Sequence, residues 1–168
     1  MQLIEIDKAR YRRHLNITIT VAVVSFASLG VGLSSLLIHF FGAAPGENFW
    51  LNLLGVAIAA VIVGKTLQNL KQRPWFAEIA YVWQLKQELN LINRRLRSIQ
   101  AAVKADRKQA IIVMLFNYHG SRQLWLLDDN ILNLQELELQ LQQLEQQIQR
   151  LELPVTVADY RRELLDEF

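Results

Sequence analysis

Residues 15–41 read LNITITVAVVSFASLGVGLSSLLIHFF, a run of 27 residues without Asp, Glu, Lys or Arg. As a helix it would be about 40 Å long, whereas the hydrocarbon core of a bilayer needs about 30 Å. It is long enough to cross with tilt. A second uncharged run, residues 48–64, has 17 residues and is short for a span by itself. Lys65 closes it, but a lysine stem can lie along apolar surface with its ammonium in water, which lets Leu67 and Leu70 extend the run. The expectation is a transmembrane hairpin over about 15–70, with spans near 15–41 and 48–67. A cleaved leader fits poorly, because its apolar core would be only about 7–15 residues long and Pro45 would directly follow a cut after Ala44.

The rest of the chain is organised by charge. Among 168 residues, 52% are hydrophobic and the net charge is only +2, yet the charges are sorted. Residues 1–14 hold four Lys/Arg against two acids, 15–64 hold only Glu47, 65–122 hold eleven against three, and 123–168 hold three against ten. Lys8, Arg10, Arg12 and Arg13 precede the first run; Lys65, Lys71 and Arg73 follow the second; residues 42–48 carry neither Lys nor Arg. Flanking cations stay on the cytoplasmic side, so both termini are expected there, with a tight Ala-Pro-Gly turn outside. Arg12, Arg13, Lys65, Lys71 and Arg73 are then the candidate contacts to lipid headgroups. Phe49 and Trp50 suit the outer interface, and Trp75, Phe76, Tyr81 and Trp83 suit either the inner interface or a cytoplasmic core.

Small and hydroxylated residues mark faces on both spans. Thr18, Ser25, Ser28, Gly32, Ser35 and His39 share one face of the first span; Ala57, Ala60 and Gly64 form one stripe on the second, and Asn52, Gly55 and Ala59 another. Such stripes let helices approach closely and bond across the contact. The reading they favour is packing of one span on the other, with Gly55, Ala60 and Gly64 also offered to a further copy of the chain. His39 and Asn52 are the candidate intramembrane polar groups. A pore or transport role, with Thr18, Ser25, Ser28, Ser35 and His39 lining a path, is the alternative, weakened by the lack of any acidic relay in either span.

Pro74 suits the first turn of a new helix. After it Val82, Leu85, Leu89, Ile92, Leu96, Ile99 and Val103 repeat in steps of three and four, as do Leu134, Leu137, Leu141, Leu144, Ile148 and Leu151. Two such seams predict an antiparallel bundle or coiled coil, in which Leu89, Ile92 and Leu96 meet Leu137, Leu141 and Leu144 and an intervening helix closes the pair. The basic helix with Lys86, Arg94, Arg95 and Arg97 would then lie beside the acidic one with Glu136, Glu138, Glu145 and Glu152. Asp106 reads as the N-cap of the intervening helix and Gly120 as its stop; Asp128-Asp129-Asn130 read as caps of the third helix, and Thr156 to Asp159 as the cap of a last helix running to about Phe168.

No chemistry-bearing motif accompanies this pattern. There is no cysteine, and with three scattered His no metal set is expected; Gly-rich phosphate loops, nucleophile elbows and zinc-protease motifs are absent. Tyr118-His119 is a weak proton-transfer pair, since a His in a last helical turn is favoured by the helix dipole anyway. The basic stripe from Lys86 to Lys108 has no aromatic platform for bases, so no nucleic-acid partner is expected. Nor is a cofactor, a small-molecule substrate or an enzymatic activity.

Asp7-x-x-x-Tyr11-Arg12, Asn48-Phe49-x-x-Asn52-Leu53-x-Gly55-Val56, Pro74-Trp75-x-Ala77-x-x-x-Tyr81-x-Trp83-Gln84-Leu85-Lys86 and Leu127-Asp128-Asp129-Asn130 follow one another along the chain. In this it resembles a small family of uncharacterised proteobacterial proteins, a domain of unknown function, over nearly its whole length. The resemblance implies a bacterial inner membrane and two spans, and it carries no activity or residue role. The sequence reading is therefore all-α: a basic cytoplasmic N-terminus at 1–14, a transmembrane hairpin at 15–70 and a cytoplasmic helical domain at 74–168. Its expected function is that of a membrane-anchored scaffold, adaptor or assembly subunit, with membrane lipid and further copies or a membrane complex as partners.

Overall fold

The computed structural model describes residues 1–42, 48–71, 73–130 and 132–168, all-α in its regular elements. The expected outer turn falls on 43–47 and lies outside the described residues. Two long apolar helices come first, α1 (Lys8–Phe41) and α2 (Phe49–Leu70). A 3-10 turn at Pro74–Phe76 leads into α3 (Ala77–Arg94), α4 (Leu96–Lys104), α5 (Lys108–Leu127) and α6 (Leu134–Arg150). The chain divides into two compact units, residues 9–80 and residues 1–8 with 81–168. The first eight residues thus pack with the helical bundle, where the sequence suggested a separate basic segment of fourteen.

In the unit of residues 9–80, α1 and α2 pack through small side chains. Gly30 and Ser34 are the buried residues along the apolar length of α1, and Gly55 and Ala59 those of α2. Most other side chains of this unit's two helices are exposed or half-buried.

In the other unit the seams are buried as their periodicity requires: Val82, Leu85, Leu89, Ile92 and Ile99 from α3 and α4, and Leu137, Leu141 and Leu144 from α6. The centre, however, is α5. Ala110 to Asn117 is an unbroken buried run, and the close backbone approaches are α4 to α5 and α5 to α6. A helix apolar on every side gains most by being surrounded. The helices on either side of α5 thus pack against it, where direct pairing of the two seams with a closing helix was expected. Gln147 reaches from α6 to the Val103 carbonyl at 2.8 Å.

Three helix ends correct the expected caps. Asp106, Asp129 and Glu152 have φ of 55°, 56° and 51°, the left-handed conformation that usually takes glycine. Each is followed by an amide that bonds back across the last turn: Arg107 N–H to Ala102 C=O, Asn130 N–H to Trp125 C=O and Leu153 N–H to Ile148 C=O, at 3.0, 2.9 and 3.2 Å. Asp106 and Asp129 thus end helices rather than start them, and α6 begins at Leu134 behind Asn133. Gly120 does not stop α5, which continues to Leu127. A Cβ there would lie 3.1 Å from a methyl of Leu85 and of Leu89, so the glycine leaves room for those two α3 side chains.

The tail after Pro154 is two 3-10 turns, Val157–Asp159 and Arg162–Glu167, in place of the expected helix. Thr156 and Asp159 do form the first cap, with the Thr156 N–H and hydroxyl both donating to Asp159 Oδ2 at 2.7 and 3.1 Å. Those two bonds, the backbone one foremost, hold the Asp159 carboxyl below its usual range. Tyr160 then inserts into the core, stacked on Phe116 at 3.9 Å.

Candidate functional site

The hairpin surface is the first candidate. Each of α1 and α2 contains a strongly apolar window in which only 11% of residues are buried within the protein, so its hydrocarbon faces outward. Ile19, Val23, Val31, Phe40, Trp50, Leu54 and Val61 are among the exposed large side chains. Both helices are long and apolar enough to cross a membrane.

The small residues divide between the inner contact and this outer surface. Gly55 and Ala59 are buried, Ser25 and Gly64 are half-buried, and Ser28, Gly32, Ser35, Ala57 and Ala60 are exposed. A Cβ on Gly55 would lie 2.5 Å from the Ser34 hydroxyl oxygen, and one on Gly30 3.8 Å from a Val56 methyl. The Ser34 hydroxyl donates to the Asn52 carbonyl at 3.2 Å. Gly55 is thus committed to α1, and its expected contact with another copy is displaced by the hairpin itself. Sequence reasoning missed the Gly30–Ser34 pair, although a small residue followed four later by another is the signal for such a contact. His39 is exposed, with its ring edge-on to Phe40 at 5.1 Å; the Asn52 side chain is exposed as well.

Arg12, Arg13, Lys65, Lys71 and Arg73 are all exposed. Two further basic side chains of the same unit, Arg10 and His14, converge on Glu78. Arg10 Nε and Nη2 lie 2.6 and 2.5 Å from Glu78 Oε1, while His14 Nδ1 is 3.8 Å from Glu78 Oε2 and its ring lies on Trp75 at 4.7 Å. A helical turn separates Arg10 from His14, so one carboxylate of α3 can face both.

In the bundle unit, the N-terminal strap is held by a ring of hydrogen bonds. Ile4 N–H donates to the Tyr81 hydroxyl at 3.0 Å, that hydroxyl donates to Gln123 Oε1 at 3.1 Å, and Gln123 Nε2 donates back to the Ile4 carbonyl at 2.5 Å. Burial pushes the Tyr81 phenol up, opposed by its bonds to Ile4 and Gln123. Beside the strap is a cleft of about 450 Å³ lined by Lys8, His119 and Arg122 among others. Each of these side chains meets a carboxylate: Lys8 pairs with Asp129, Arg122 Nε lies 3.3 Å from Glu138, and His119 Nε2 lies 3.9 Å from Glu145. Burial lowers the His119 pKa, with Glu145 raising it and Arg122 lowering it. Burial alone raises the neighbouring Tyr118.

The charged blocks join differently from the expected helix-to-helix pairing. Lys86 bonds Asp128 at 2.9 Å, the Arg95 guanidinium donates to the Leu165 carbonyl, and Arg107 lies 3.4 Å from Glu167. Tyr160 donates to Glu88 at 3.1 Å, and burial, with that carboxylate, pushes its phenol far up. Arg95 and Arg107 thus meet the C-terminal segment, and Lys86 the end of α5. Among the described residues no group of three or more His, Asp or Glu is arranged to hold a metal ion.

No curated protein and no solved structure matches the chain. A family model described as "Protein of unknown function (DUF3087)" matches residues 1–165. The match covers nearly every residue, and the chain belongs to that family.

Proposed function

We infer that this protein is a membrane-anchored structural and interaction protein. In this reading α1 and α2 cross a bacterial inner membrane as a hairpin, both termini are cytoplasmic, and the bundle is presented at the cytoplasmic face as a scaffold, adaptor or assembly subunit. The observation that carries it is the outward-facing hydrocarbon of both helices, which water would not tolerate over two such lengths. The cations at 8–13 and 65–73, against none at 42–48, support the orientation. Ser28, Gly32, Ser35, Ala57 and Ala60 form small-residue surface outside the hairpin contact, suited to another copy or to a subunit of a membrane complex. No catalytic role is assigned to either unit.

Fractionation and cysteine labelling test the reading. The full chain should resist carbonate extraction, and an impermeant thiol reagent on intact cells should label Ala44→Cys and spare Gln2→Cys. Release by carbonate, or the reverse labelling, would overturn it. Crosslinking in native membranes should capture a protein neighbour, and liposomes holding the purified protein should not leak protons. Leakage abolished by His39→Ala would favour a pore instead.

A further inference from the structure

The two helices of the hairpin approach closely where Gly55 meets Ser34 and Gly30 meets Val56. Toward the start of α1 and the end of α2 they leave a groove of about 250 Å³ lined by Ile17, Ala22, Ser25, Ile62, Leu67 and Trp75, among others. Thr18 and Thr66 also line it. Their hydroxyls donate to the His14 and Ile62 carbonyls of their own helices, at 2.8 and 2.9 Å, so they demand nothing of an occupant. The Trp75 ring rests on His14 at one end. Along α1 the groove runs from Ile17 to Leu29, about 18 Å at 1.5 Å per residue, close to the roughly 15 Å depth of one leaflet.

A polar recess adjoins this groove through two shared residues, Thr66 and Leu70, and adds Asn69 and Arg73. An apolar slot one leaflet deep, opening beside a guanidinium and an amide, has the shape and charge of an amphiphile with an anionic head. Arginine's planar fork fits phosphate oxygens in particular. We propose that the hairpin binds one anionic phospholipid, with an acyl chain along the α1–α2 groove and the headgroup phosphate at Arg73 and Asn69. The site rests on the reading that the hairpin lies in a bilayer. An ordered chain would supply the dispersion contacts that the groove's lining leaves unmade.

The full chain in nanodiscs of mixed phosphatidylglycerol and phosphatidylcholine, transferred to mild detergent and weighed by native mass spectrometry, tests this. One phosphatidylglycerol should be retained per chain, in preference to phosphatidylcholine by about fivefold, the worth of one cation near the surface. Arg73→Gln should remove the preference. Ala22→Phe, or the gentler Ser25→Leu, should fill the groove and lose both lipids while helix content by circular dichroism is unchanged; Ala57→Phe on the outer face should retain them. Equal retention of both lipids, retention undiminished in both groove variants, or a lipid-free dimer in which a second copy covers the groove would overturn the site. A protein that enters nanodiscs and carries no lipid defeats the site alone, whereas one that enters none defeats the membrane reading beneath it.

Discussion

Gly55 stands against the backbone of Ser34: a Cβ on the glycine would lie 2.7 Å from the Ser34 nitrogen and 2.8 Å from its Cα. No rotamer change relieves a clash with backbone, so any side chain must push α1 and α2 apart. Gly55→Ala should lower the stability of the detergent-solubilised protein by about 1–3 kcal/mol, as overpacking does. Gly64, around which a Cβ meets nothing within 4 Å, should accept alanine within about 0.5 kcal/mol. Thermal melts of the two variants read the contrast, and equal effects would mean that the small residues do not set the helix approach.

The bundle should be most sensitive at its central helix. Phe116 is fully buried and stacked on Tyr160, so Phe116→Ala should cost about 3–5 kcal/mol. Leu141→Ala should cost about 2–5 kcal/mol, against well under about 1 for the exposed Gln142→Ala. Denaturant titration of the full chain orders them; a Phe116→Ala as mild as Gln142→Ala would contradict a core built around α5.

Glu152 occupies a glycine conformation at the negative end of the α6 dipole. Glu152→Gly should therefore stabilise the protein by about 0.5–1 kcal/mol. Asp129→Gly relieves the same strain but removes the Lys8 ion pair, so its gain should be smaller. Comparing the two midpoints tests the left-handed assignment, which a destabilised Glu152→Gly would refute.

Release of the strap should follow from a single change. Gln123→Leu deletes both the donor to the Ile4 carbonyl and the acceptor for Tyr81. Two lost bonds of ordinary worth should speed hydrogen exchange of residues 2–6 by about tenfold or more. Unchanged protection would show that the strap is held by its apolar side chains alone.

His119 gives the bundle an acid-side weakness. Its folded pKa is depressed, chiefly by burial, so the unfolded chain takes up the proton first as pH falls through about 6.5. The stability tied to neutral His119 is present above that pH and is lost as pH falls through the lower folded pKa. His119→Gln should flatten the fall in melting temperature between about pH 7 and 5. An equally steep fall in the variant would assign the effect to other groups.

Some of this structure was legible one residue at a time. A stretch without charge over 27 positions is a local property, and so is a three-four seam; both dictate their helices and their buried faces wherever the chain goes, because solvation acts on each side chain directly. The buried Leu85, Leu89, Ile92, Leu137, Leu141 and Leu144 were readable for that reason. The central place of α5 was half-written in the apolar run from Ala110 to Phe116, since a helix without a polar side has nowhere to sit but inside. What the tertiary structure alone decided is which of several equivalent surfaces meet. Both spans offer more than one small-residue face, and only the close approach of Gly55 to Ser34 selects one; lipid-like side chains outside it are indifferent to the choice. The same holds for the acids. Asp106 and Asp129 have the chemistry of helix starts, but the turns forced by packing α4 on α5 and α5 on α6 place them in left-handed helix ends. Local preferences of about 1 kcal/mol yield to a core that buries several large side chains at once.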